Sequence, residues 1–245
     1  MKMRLDKLLV ERGLVETRSK ALGLVMSGDV LVNGQMITKA GAAIEDTAEI
    51  VLRQNFPYVS RAAKKLEAAL NEFAVDCTGK IAIDVGASTG GFTDLMLTRG
   101  IRKVYAVDVG RGQLHWRLRN HAQVVNIEGV NARNLDTELI QDLCDIATFD
   151  VSFISLKLVI PPVLKILRPC ADIIALIKPQ FEAGRHQVGK GGIVKDQQVV
   201  KQVLDNMQAF LDASDLTVSG IIPAPIKGAK GNQEYLVHAM HGEAS

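Results

Sequence analysis

Ile81-Ala82-Ile83-Asp84-Val85-Gly86-Ala87-Ser88-Thr89-Gly90-Gly91-Phe92 decides the fold. A short run that is apolar apart from Asp84 passes straight into a glycine-rich turn and then a helix, which is how a buried strand of an α/β sheet feeds its crossover. Gly86, Gly90 and Gly91 lack a Cβ where backbone must approach a ligand closely, and Ser88 and Thr89 set short polar groups beside them. Three residues separate Gly86 from Gly90, so the turn departs from the G-x-G-x-x-G dinucleotide fingerprint. A second apolar strand, Lys103 to Val107, ends in Asp108 about one βαβ unit further on, where an acid can bind a ribose diol.

Working outward, Leu66, Ala69, Leu70 and Phe73 recur at helical spacing before the first strand, with Lys65 beside that stripe. Further strands are expected at Asp145 to Phe149, Ala171 to Ile177, Leu216 to Ile222 and Glu234 to Ala239, with helices near 91–99, 155–168 and 195–213. Such alternation means a doubly wound α/β sheet. Ligands in these sheets bind beyond the carboxyl ends of strands, which makes Asp84, Asp108, Asp150 and Lys178 the candidates.

The 245 residues carry a net charge of +2, too small to name a partner, and 47% hydrophobic with 23% charged residues describes a soluble globular chain. Cys77, Cys144 and Cys170 form no C-x-x-C pair and lie in or near apolar segments, so buried reduced thiols in a cytoplasmic protein are expected. His238 and His241 have no companions at ligand spacing, hence no metal. No apolar run spans a bilayer and no signal core opens the chain, hence no membrane.

The front of the chain reads differently. Residues 4 to 12 form a short helix with Leu5, Leu8 and Leu9 on one face, and Thr17 to Met26 a second, capped by Thr17, with Ala21, Leu22, Val25 and Met26 inward. A strand at Val30 to Val32, an Asn33-Gly34 hairpin turn and a strand at Ala48 to Leu52 follow. Arg4-Leu5-Asp6, Arg18-Ser19-Lys20-Ala21 and Gly28 to Gly34 resemble an S4-type RNA-binding domain. That resemblance implies RNA contact through Arg4, Lys7, Arg18 and Lys20, although such charges also suit a solvated helix face. Arg53 to Pro57 reads as a linker, so residues 1–56 form a small α+β domain and residues 57–245 a larger one.

The glycine-rich loop resembles the first motif of class I methyltransferases, which bind S-adenosylmethionine; Asp84, Gly86 to Phe92 (Gly86, Ala87, Ser88, Thr89, Gly90, Gly91, Phe92) and Asp108 are then its cofactor residues. Phe149 to Leu156, Leu176 to Glu182, Ser60 to Leu66 and Gly231 to Tyr235 together resemble the TlyA (hemolysin A-like) family of ribosomal RNA 2′-O-methyltransferases, whose catalytic domain is FtsJ-like. The resemblance implies a Rossmann-like sheet, S-adenosylmethionine as cofactor, ribosomal RNA in a subunit or ribosome as partner, and Lys65, Asp150, Lys178 and Glu234 as the catalytic set. Lys64 neighbours Lys65, but the position before Leu66 fits the pattern. A ribose hydroxyl must lose its proton as it attacks, so Lys178 is the candidate base, its neutral form favoured by burial or by Lys65. Asn131 and Arg133 are placed near the adenine. Arg185 and Lys190 sit in a glycine-rich segment that suits a mobile flap over RNA or cofactor, and Lys227 and Lys230 in a second basic loop. Solvated loops would have the same composition. An RNA-binding protein with a vestigial catalytic site, a membrane-lytic protein and a small-molecule methyltransferase stay open as alternatives, and oligomeric state is not legible.

Overall fold

The computed structural model describes residues 2–26, 28–52, 58–135, 137–228 and 230–242, and the side chains of Thr137 and Arg185 lie outside that description. The chain divides into two compact units, Met1–Pro57 and Tyr58–Ser245. The expected linker at Arg53 to Pro57 falls outside the described residues.

In the front unit, β1 (Lys2–Arg4), α1 (Leu5–Glu11), α2 (Arg18–Met26), β2 (Val30–Val32), β3 (Gln35–Met36), β4 (Ala43–Glu45) and β5 (Ile50–Leu52) follow one another. Leu5, Leu8 and Leu9 are buried, as their spacing requires. The Thr17 hydroxyl accepts the Lys20 N–H at 3.2 Å and caps α2. Asn33 and Gly34 take φ of 49° and 76°, the left-handed pair that turns β2 tightly into β3, and β5 completes a three-stranded sheet ordered β3-β2-β5. β1 pairs antiparallel with β4.

One expectation for this unit fails. Leu22 and Met26 are exposed, and Leu24 instead packs beside Ala21 and Val25. A nine-residue helix on so small a core covers one narrow stripe, and the i, i+3, i+4 set of Ala21, Leu24 and Val25 fills it.

The larger unit runs α3 (Ala63–Glu72), β6 (Ile81–Val85), α4 (Gly91–Thr98), β7 (Lys103–Asp108), α5 (Trp116–Arg119), β8 (Val124–Glu128), β9 (Cys144–Phe149), α6 (Leu156–Leu164), β10 (Leu167–Ile177), α7 (Pro179–Glu182), α8 (Gln197–Asp212), β11 (Leu216–Pro223) and β12 (Tyr235–His241). Its seven-stranded sheet is ordered β11-β12-β10-β9-β6-β7-β8. β8, β7, β6, β9 and β10 are parallel, while β12 is antiparallel to both its neighbours. Chain order reverses at β6, with β7 on one side and β9 on the other, and the crevice beyond those carboxyl ends is where such sheets bind ligands. Ile83, Tyr105, Phe149, Ile160 and Ile173 belong to the buried core beneath it.

α6 is shorter than the expected 155–168, because Leu167 already pairs with Cys144 and starts β10. The register breaks between Leu167 and Asp172, and Cys170 sits exposed in that irregularity with φ of 59° rather than buried as expected. Cys77 and Cys144 are buried, which pushes their thiols up to about 11 and about 12.

Candidate active site

Topology brings the chemistry to one edge of the sheet. Parallel β9 and β10 end there at Phe149 and Ile177, so Asp150 and Lys178 are the residues that emerge. Antiparallel β12 begins where β10 ends, with Tyr235 opposite Ile177, which brings Glu234 to the same edge. Lys65, in the first turn of α3, reaches the same cleft as these three.

The four residues form two pairs. Lys65 Nζ lies 2.6 Å from Glu234 Oε2, and Lys178 Nζ lies 2.6 Å from Asp150 Oδ1. Lys178 also donates to the Ser152 hydroxyl at 2.9 Å. Lys65, Lys178 and Glu234 are buried, whereas Lys64 is exposed, so burial distinguishes the two adjacent lysines. All four line a cleft of about 560 Å³. Removing one member of a buried pair leaves an uncompensated charge, typically at a cost of about 3–5 kcal/mol, so each amine is held where its acid puts it.

The glycine-rich loop separates this cleft from a second of about 500 Å³, and Gly86, Ser88, Asp150, Ser152 and Phe153 face both. Gly86 and Gly90 adopt φ of 84° and 95°. A Cβ on Gly86 would meet the Asp150 carbonyl oxygen at 2.7 Å, and one on Gly90 would collide with Leu118. At these two positions the missing Cβ makes room for the protein's own loop and for α5. Ala87 and Phe92 are buried in the wall of the first cleft, together with Gly91, while Ser88 and Thr89 are exposed.

Asp84 is fully buried under that loop. It accepts the Thr93 N–H at 3.0 Å, the Thr93 hydroxyl at 2.7 Å and the Thr148 hydroxyl at 2.9 Å, tying β6 to α4 and β9. Burial pushes its carboxyl up to about 6, against the lowering effect of those hydrogen bonds. Asp108 ends β7 and is clamped at both oxygens, by the Ser88 N–H at 2.8 Å and the Gly110 N–H at 2.7 Å. It lines the second cleft with Asn131 and Arg133, where Asn131 Oδ1 accepts the Arg133 N–H.

Residues 58–240 match the FtsJ-like methyltransferase family and residues 3–50 match the S4 domain. Hemolysin A of Brachyspira hyodysenteriae is 45% identical over 238 residues, covering 96% of this chain and 99% of the relative. The 16S/23S rRNA (cytidine-2′-O)-methyltransferase TlyA of Mycobacterium tuberculosis is 42% identical over 237 residues, 96% of this chain and 88% of that one. The chain belongs to the TlyA/hemolysin A family of FtsJ-like methyltransferases. A solved chain from Streptococcus thermophilus, described as a candidate hemolysin, superposes with a TM-score of 0.78 at 43% identity, covering 99% of this chain and 90% of that one. By family, this is an S-adenosylmethionine-dependent methyltransferase. Among the described residues no helix is long and apolar enough to cross a membrane, and no cluster of metal-ligating side chains occurs.

The other residues singled out in the sequence lie on loops and in the S4 unit. Lys230 lines the first cleft, while Lys190 and Lys227 are exposed on their loops; Arg185 begins a short 3-10 turn. The segment carrying Arg185 and Lys190 is fastened at its far end by Asn232, which donates to the Gly192 carbonyl at 2.8 Å and accepts the Val194 N–H at 3.0 Å. In the S4 unit, Arg4 and Arg18 both hold Asp6, at 3.0 and 2.9 Å, Lys20 pairs with Glu16 at 2.7 Å, and Lys7 with Glu11 at 3.6 Å.

Three site features were not legible in the sequence. Phe153 is 86% exposed at the rim shared by both clefts, with φ of 63°, and its ring lies 5.0 Å from that of Phe181. Positive φ on an aromatic residue is uncommon and costs energy. Glu182 accepts the Ser155 hydroxyl at 2.6 Å and the Leu156 N–H at 2.8 Å, pinning α7 to the start of α6; burial raises its carboxyl. Asn232 is the third. Only the spacing of Phe153 behind Asp150 and of Glu182 behind Lys178 hinted at the first two.

Proposed function

We propose that the protein transfers a methyl group from S-adenosylmethionine to a ribose 2′-hydroxyl of ribosomal RNA, within a ribosomal subunit or ribosome, with a cytidine as the target nucleotide. The observation that carries this reading is the pair of buried ion pairs, Lys65–Glu234 and Lys178–Asp150, lining one cleft beside the glycine-rich loop. S-adenosylmethionine supplies a methyl group already activated on a sulfonium. The residues Asp108, Asn131 and Arg133, with Gly86 and Ser88 of the loop, hold its nucleoside portion.

The protein's task is then to position and deprotonate a poor nucleophile. In its neutral amine form Lys178 accepts the hydroxyl proton, and Asp150, 2.6 Å away, orients the amine. Ser152 fixes it from a second side. Lys65 is kept in place by Glu234 and sets a positive charge near the oxygen as negative charge develops there. Phe153 offers its exposed face to the base of the target nucleotide.

Support for RNA over a small acceptor comes from the S4 unit and from the TlyA relative named above. The test is transfer of labelled methyl from S-adenosylmethionine to each ribosomal subunit, prepared from cells lacking the protein, followed by mapping of the modified nucleotide. Label on protein or on small molecules alone would overturn the reading. Label on a nucleotide other than cytidine would correct only the target.

A further inference from the structure

We propose that Trp116, on α5, is a second RNA-docking point of the methyltransferase unit, stacking an unpaired base of the substrate outside both clefts. This rests on ribosomal RNA being the substrate. Trp116 is the only tryptophan of the chain and is 70% exposed. Packing does not need it, because Leu114 and Leu118 are the buried residues of this segment and fill the space beside Gly90. A large aromatic surface left in water beside basic side chains is the usual means of holding single-stranded nucleic acid, since every base has a π-face and every phosphate a charge.

The surroundings suit that occupant. Residues 111–121 contain Arg111, Arg117 and Arg119 and no acidic residue. Arg117 meets Asp94 through Nη2 and Arg119 meets Glu128 through Nη2, yet their side chains stay 50% and 36% exposed. Hydrogen bonds hold the backbone that carries Trp116. His115 Nδ1 accepts the Arg117 N–H at 3.3 Å, the Asn120 amide donates to the Trp116 carbonyl at 2.9 Å, and the His115 N–H donates to the Thr89 carbonyl of the glycine-rich loop at 3.2 Å. Trp116 is therefore presented at low entropic cost, joined to the cofactor loop while lining neither cleft.

A single tryptophan makes its own reporter. Full-length protein is titrated with protein-free ribosomal RNA containing the methylated site, and separately with S-adenosylmethionine alone. RNA quenches Trp116 fluorescence and the cofactor alone does not. Trp116→Ala lowers affinity for ribosomal particles roughly 5- to 100-fold, with cofactor affinity and the salt slope unchanged, and Trp116→Phe restores most of the loss. Equal particle affinity in Trp116→Ala and wild type, while wild type still methylates, overturns the inference and leaves the proposed reaction standing. Quenching by the cofactor alone assigns Trp116 to the cofactor site, and quenching that follows protein concentration assigns it to a second copy; either outcome overturns it. Failure of wild type to methylate ribosomal RNA removes the reading beneath it.

Discussion

The S4 unit and the methyltransferase unit both place lysines or arginines against carboxylates, but the two sets of pairs differ in kind. Arg4, Lys7, Arg18 and Lys20 have side chains 57–61% exposed even while paired, whereas Lys65 and Lys178 are at 10% and 9%. Lys7–Glu11 and Lys20–Glu16 are exposed at both ends, are screened and gain little, so their lysines can turn to an RNA phosphate at small cost to the fold, whereas Arg4 and Arg18 share the buried Asp6 and each can leave it only while the other stays. The cleft pairs are largely shielded, so water competes less for either partner and their geometry is held more firmly. The first arrangement suits orienting a large substrate, and the second suits keeping reacting groups within a fraction of an ångström.

Breaking a buried pair should have the largest consequence. Lys178→Ala is expected to reduce single-turnover methyl transfer by about 10²- to 10⁴-fold, with S-adenosylmethionine affinity within severalfold of wild type. Asp150→Ala should fall comparably, and the double variant should be little worse than either, as groups acting as one unit behave. Wild-type rates in a folded Lys178→Ala protein would remove the lysine from the chemistry.

The next effect compares two buried acids. Asp6 is held by two guanidinium groups, which keep its carboxyl well below the usual range, while Asp84 has only hydroxyl and amide donors and is raised to about 6 by burial. Because the folded value of Asp84 lies above its ordinary 3.8, its contribution to stability is fully present below that value and is lost as pH rises through about 6. Asp84→Asn keeps an acceptor for Thr93, and the Thr148 hydroxyl can reverse to accept. Between pH 4 and 7 the variant should therefore gain about 2 kcal/mol on wild type in denaturant unfolding. Asp6 has the opposite sign: its contribution is present above the ordinary value and is lost as pH falls toward its depressed one. A difference between Asp84→Asn and wild type that stays flat with pH would show that Asp84 does not titrate in this window.

Much of this was legible because it depends on periodicity and strand ends. Asp108, Asp150 and Lys178 follow or close apolar runs that a buried sheet requires, and the Asn33-Gly34 turn carries its own φ preference. β1, β3 and β4 were not legible, being two or three residues long and defined only by their partners. Leu22 and Met26 misled because helical spacing alone does not say which of two apolar stripes a small core covers. The pairing of Lys65 with Glu234 joins residues 169 apart in sequence and is fixed by the antiparallel β12, which no local pattern reveals.

Asp108 gives a smaller effect, confined to the cofactor. S-adenosylmethionine should raise the melting temperature of wild type, since it binds the native state only, and Asp108→Ala should remove most of that shift. A drop of roughly tenfold in affinity is expected for a charged hydrogen-bonding group at the ribose. The same substitution also frees the Ser88 and Gly110 N–H groups, so Asp108→Asn separates the roles: it keeps one acceptor for the loop while losing the charge. Unchanged cofactor affinity in both folded variants would move the ribose site elsewhere.

The smallest change per residue belongs to the exposed cations. Reversing charge at Arg18 or Lys20 should lower affinity for ribosomal particles severalfold each, and should flatten the slope of log affinity against log salt by about one for each phosphate no longer neutralised. Arg4 and Arg18 share Asp6, so reversing one leaves the other to hold that acid, and the two effects should not add. Lys20 pairs separately with Glu16, and its effect should add to either. Deleting residues 1–56 should leave a folded, cofactor-binding methyltransferase unit with much of its particle affinity gone, because that unit has its own buried core around Ile83, Phe149 and Ile173. Particle affinity and its salt slope, measured for wild type, the Arg18 and Lys20 reversals and the truncation, decide the matter. If all four agree, the S4 cations are a solvated helix face, and the exposed pairs differ from the buried ones only in being dispensable.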